Sequence, residues 1–144
     1  MGPQGAEAVI FWTSFPDGVH ADPCDNLLSP TLGPSAAELA AAVARAPGTK
    51  LVEGPSNVTV GRRPAKHVVL TVRRDLGCDA GFFYAFNGGT AGAMWPGTDV
   101  GDTIRVWIVD VGGTRLFIEA ETTTQADAEL EKEIRQIVGS IRFD

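Results

Sequence analysis

The segment Asp102–Thr124, DTIRVWIVDVGGTRLFIEAETTT, decides how the rest of the chain is arranged. Two runs of alternating apolar residues flank Gly112-Gly113, which is the pattern of a β-hairpin. A two-residue turn at the glycines suits a type I′ geometry and sets Val111 against Thr114, Val106 against Glu119 and Ile104 against Glu121. Each carboxylate would then share a face with aliphatic side chains. A three-residue loop, Val111-Gly112-Gly113, with Gly113 left-handed in a bulge, reverses the parity. Ile104, Val106, Ile108, Leu116, Ile118 and Ala120 then line one apolar face. The opposite face sets Arg105 across from Glu119 and Trp107 across from Phe117. A one-residue slip turns every side chain over, so burial should choose the register. Misplacing aliphatic side chains costs roughly 1.5–3 kcal/mol each. The Asp110–Arg115 pair that favours the shorter turn is worth only about 0–1 kcal/mol at a surface. The three-residue loop is therefore expected.

Composition bounds the rest. The chain has 144 residues, 44% hydrophobic and 21% charged, with a formal net charge of −6. These values describe one globular domain over residues 1–144, large enough to bury a core without a metal. Scattered negative charge argues against nucleic acid or an anionic membrane surface as partner. No stretch reaches the ~18–20 apolar residues of a membrane span, and the N-terminus has no signal-peptide pattern. Cys24 and Cys78 both lie in loop-like surroundings, ADPCDN and LGCDAG. A disulfide between them would close a loop of roughly 54 residues, contribute on the order of 4 kcal/mol and imply an exported location. Neither cysteine belongs to a CxxC pair and only His20 and His67 could join them, so no metal site is expected. Gly88-Gly89-Thr90 and Gly101-Asp102 lack the context of a phosphate loop, and Asp99, Asp102 and Asp110 lack EF-hand spacing. No cofactor is expected.

In chain order, Glu7–Phe15 reads as a first strand, and the Pro- and Gly-rich stretch Val19–Pro34 as a long connection. Ser35-Ala36-Ala37-Glu38 forms a capping box for an Ala-rich helix to Ala46, stopped by Pro47-Gly48. Leu51–Gly54 and Asn57–Val60 read as two short strands and Gly61–Pro64 as a turn. Lys66–Arg74 is a strong strand with Val68, Leu70 and Val72 on one face and His67, Val69, Thr71 and Arg73 on the other. Gly81–Phe86 follows as an aromatic strand and Ala93–Trp95 as a short edge strand. Thr124-Gln125-Ala126-Asp127 resembles a second capping box opening a helix to about Ile141. Its apolar stripe is Leu130, Ile134, Ile137, Val138 and Ile141, with Glu131–Arg135 as an i,i+4 pair.

Strands joined by short turns, bracketed by helices, predict an α+β domain: a single antiparallel β-sheet of about six to seven strands with helices packed on it. The segments VTVGRRPAKHVVLTV, IRVWIVDV, RLFIEAET and EIRQIVGSIRF resemble those of PsbP-like α/β-sandwich domains, especially exported or lipid-anchored actinobacterial ones of unknown function. The resemblance covers most of residues 58–143. It implies an extracytoplasmic binding module, secreted or held by a membrane anchor outside this stretch, and maps no site residue.

With the apolar sheet face turned to the main helix, the other face should present His67, Arg73, Arg105, Trp107, Phe117 and Glu119. Aromatic walls with a few convergent charges are the composition of a small-molecule pocket. Arg105 would pair a carboxylate bidentately and Glu119 would orient it. The bland reading is a covered face with Arg105–Glu119 as an ordinary cross-strand pair. Three functions compete: a non-enzymatic binding or sensory domain for a small ligand or protein partner, an enzyme using His67 with Glu119 or Asp75, and a docking module built on Trp95.

Overall fold

The computed structural model describes residues 8–13, 20–22, 27–28, 35–73, 82–83, 95–96 and 100–144, with side chains over 35–73 and 100–144. The elements are β1 (Ala8–Thr13), β2 (His20–Asp22), β3 (Leu27–Leu28), α1 (Ala36–Val43), β4 (Thr49–Val60), β5 (Arg63–Val72), β6 (Phe82–Phe83), β7 (Trp95–Pro96), β8 (Thr103–Val111), β9 (Thr114–Thr122) and α2 (Ala128–Ser140). Antiparallel pairing builds one sheet in the order β1-β9-β8-β5-β4, and β2-β3 and β6-β7 form two separate two-stranded ribbons. No helix among the described residues is long and apolar enough to cross a membrane.

The single sheet of six to seven strands is thus corrected to five, four of them with described side chains. Two physical causes account for the difference. The stretches on either side of Pro55 are one strand, because the chain passes the cis Gly54–Pro55 bond with shifts of register and stays paired to β5 throughout. Phe82–Phe83 and Trp95–Pro96 pair with each other and add nothing to the main sheet. The proposed Cys24–Cys78 bridge lies outside the described residues.

The hairpin turn overturns the expected register. Val111 pairs with Thr114, and Gly112 and Gly113 take φ of 61° and 87°, the two positive values that a type I′ turn requires. Asp110 clasps the turn, its carboxylate accepting from the Gly113 N–H at 3.1 Å. Val106 therefore faces Glu119, and Ile104 faces Glu121.

This register costs no aliphatic burial because both faces of the sheet are covered. On the first face Leu39, Ala40, Val43 and Ala46 from the α1 region pack on Val68, Leu70, Val72, Ile104, Val106, Ile108 and Phe117. On the second, Ile134 and Val138 of α2 pack on Val60, Ala65, Trp107, Val109, Ile118 and Ala120. The reading of one greasy face assumed that only one helix needed a seat. Strands buried on both sides carry near-continuous apolar runs, and VWIV and LFI are such runs.

The helix caps follow local chemistry. Ser35 accepts from the Glu38 N–H at 3.1 Å and Glu38 reaches back to the Ser35 N–H, completing the capping box of α1. The cap of α2 is Asp127, not Thr124: its carboxylate accepts from the Leu130 N–H at 2.9 Å. Ile134 and Val138 of the expected stripe are buried, whereas Ile137 is 49% exposed.

Candidate functional site

The second face keeps a polar end beside its apolar core. Cross-strand pairing sets His67 opposite Trp107 and Val69 opposite Arg105, so strands β5 and β8 bring His67, Trp107 and Arg105 to one side. The His67 and Trp107 rings stack with centroids 4.5 Å apart and planes 17° from parallel. His67 Nδ1 lies 2.9 Å from the Val106 carbonyl oxygen. A neutral ring donating there leaves Nε2 as an acceptor. Burial lowers the His67 pKa, with Arg105 and Arg135 adding to that effect while the Val106 hydrogen bond and Glu53 oppose it.

Arg105 is the most constrained charge on this face. Its side chain is 11% exposed, and its Nη2 donates to Glu131 Oε1 of α2 at 2.9 Å. Its Nη1 is buried without a hydrogen-bond partner. A buried donor left unmet costs about 1–3 kcal/mol, so among the described residues of this face this nitrogen is the one that asks for an acceptor.

Phe117 and Glu119 are not part of this face. Phe117 packs in the α1-side core and Glu119 stands beside Val106 on that same side. Glu119 is 1% exposed, with Oε2 buried and unpartnered. Burial pushes its pKa well above the ordinary range, and Glu121 pushes it further. Arg73, just past β5, is exposed, and its backbone N–H bonds the Gly48 carbonyl at 2.9 Å. It is not brought to the cluster.

The sheet therefore joins His67, Arg105 and Trp107 and separates Glu119 and Phe117 from them, while Arg73 lies past the end of β5. A His67–Glu119 dyad is ruled out by the intervening sheet, and among the described residues no carboxylate bonds the His67 ring. Asp75 and Trp95 of the enzyme and docking readings have no described side chains. The reading from sequence missed Glu131, which pairs with Arg105 in place of the expected Glu131–Arg135 pair. Its signal was present: Glu131 falls between Leu130 and Ile134 on the flank of the apolar stripe, where a carboxylate reaches the sheet.

A separate open groove of about 230 Å³ lies where Ala36 meets Asn57, Val58, Pro64, Ala65, Lys66 and Asp110. The Lys66 ammonium there is engaged by Asn57, and none of the expected site residues lines it. Among the described residues no group of three or more His, Cys, Asp or Glu side chains is placed to hold a metal ion. The chain matches no family model, no curated protein and no solved structure, so no residue's role is carried over from a relative.

Proposed function

We propose that the domain is a non-enzymatic binding or sensory module that holds a small carboxylate-bearing ligand at the α2 side of the sheet. The observation that carries this reading is the buried, unpartnered Nη1 of Arg105. A guanidinium offers two parallel donors to a carboxylate, and Glu131 occupies only one arm of the fork. His67 Nε2 and the exposed Arg135 supply further polar contacts, and the stacked Trp107 gives the site an apolar wall. Glu131 takes the orienting role first expected of Glu119. Entry needs side-chain motion at α2, where Glu131 is 33% exposed.

The test is a titration of the isotopically labelled domain with acetate, succinate and inorganic phosphate, following the Trp107 indole N–H and the His67 ring. Saturable shifts with the carboxylates are expected, and they should vanish in Arg105→Met and weaken in Arg135→Ala. Arg135 is exposed, so the second variant keeps the fold intact if the first does not. Absence of any saturable shift at both rings would end the proposal.

A further inference from the structure

Strand β4 is an outer strand of the main sheet, with β5 as its neighbour there. An outer strand leaves a row of backbone donors and acceptors open to a further strand. Lys50, Leu51, Val52 and Glu53 on it are all exposed, Leu51 at 41% and Val52 at 60%. Two of the four exposed large hydrophobic residues described in the protein are thus adjacent on this strand, the outermost of the sheet among the described residues. Neither Lys50 nor Glu53 has an ion-pair partner among the described residues.

The local register gives this edge an uncommon property. Lys50 pairs with Thr71, Leu51 with Leu70 and Glu53 with Val69, so β4 carries one residue more than β5 between the first and last of these pairs. Thr71 and Val69 are two apart and share a face, and their partners Lys50 and Glu53 therefore share it too. In a regular strand, residues three apart would lie on opposite faces. A two-fold axis normal to a sheet keeps each face on its own side, and directly opposed antiparallel residues share a face. Only because of the bulge can Lys50 stand opposite Glu53 of a second copy.

We propose that β4 pairs antiparallel with β4 of a second copy of this chain, about a two-fold axis between Leu51 and Val52. The axis sets Leu51 opposite Val52 of the second copy and Lys50 opposite Glu53 of the second copy, each contact occurring twice. The two sheets then continue into one of ten strands. Charge complementarity selects this partner over an unrelated peptide, because the same four residues supply both halves of the match. The pairing spans few residues, so the dimer is weak and concentration-dependent.

Sedimentation equilibrium of the whole chain over a concentration series tests this. Wild type should dimerise, while Lys50→Glu and Glu53→Lys should each be monomeric at the same concentrations, since each sets like charges opposite one another. An equimolar mixture of the two single variants should dimerise, as should the double variant, because opposite charges again face each other. All four positions are exposed, and unchanged circular dichroism confirms folding. A monomeric wild type overturns the proposal and leaves the edge to a segment of a different protein. Single variants that dimerise like wild type, or a mixture that stays monomeric, overturn it as well.

Discussion

Val106 and Glu119 stand directly opposite each other on β8 and β9, at 0% and 1% exposure. A carboxylate is thereby enclosed on the aliphatic side of the sheet. Its pKa is raised by burial first and by Glu121 second. Between the ordinary carboxylate value of 4.5 and the folded value, the native state holds a proton that the unfolded chain has released. Stability contributed by Glu119 is therefore present at acid pH and lost as pH rises through that window. Glu119→Gln should remove this fall and leave the domain more stable than wild type at neutral pH by about 1–3 kcal/mol. Urea unfolding at several pH values measures it, and an unchanged pH slope would show that Glu119 is not the titrating group.

His67 acts with the opposite sign. Burial lowers its pKa below the ordinary 6.5, so the native state binds fewer protons than the unfolded chain just under that value. Stability is lost as pH falls from 6.5 towards the folded pKa. His67→Gln should flatten this acid-side loss, leaving the Glu119 slope exposed, whereas Glu119→Gln should leave the His67 slope. An NMR titration of the His67 ring should give a midpoint below that of an unstructured histidine peptide.

The elements that could be read from sequence were those whose cause is local. The Ser35 capping box, the strand around His67–Val72 and the Ile134–Val138 stripe each rest on residues within one or two turns of each other. The joint position of His67, Arg105 and Trp107 was also legible, since each strand's alternation fixes it whatever the hairpin does. What failed depended on partners distant in sequence. Choosing the loop length required knowing that a second helix covers the far face, which within 102–124 is signalled only by the apolar runs VWIV and LFI and not by the alternation on which the register was argued. The placement of Glu119 and Phe117 inherited that error, and Glu131 was read against its helical neighbour Arg135 when its real partner lies on β8.

Gly54 offers a direct check on the register shift in β4. It has φ +88°, and a Cβ there would lie 2.3 Å from the His67 carbonyl oxygen. That atom is main chain and cannot swing away, and the positive φ disfavours any L side chain. Gly54→Ala should therefore destabilise by more than about 1 kcal/mol. It should also move the His67 and Trp107 resonances, because relief of the clash must displace β5 at the point where the rings stack. Gly113→Ala has open space for its Cβ and should lose only the turn preference, with those ring resonances unmoved.

Arg105 and Glu131 tie the second face of the sheet to α2 through one 2.9 Å contact. Glu131→Ala would leave a guanidinium that is 11% exposed without its carboxylate, so that Nη2 loses its acceptor and joins Nη1 in having none. The expected cost is about 1–3 kcal/mol, set by the desolvated cation more than by the strength of the pair. Arg105→Met together with Glu131→Leu removes both charges and keeps the volume. The double variant should lie closer to wild type than Glu131→Ala does, since apolar replacements of a buried pair are often neutral or stabilising. Denaturant unfolding of the variants gives the comparison, and equal losses in the double variant and in Glu131→Ala would mean that the ionic contact itself holds α2 on the sheet.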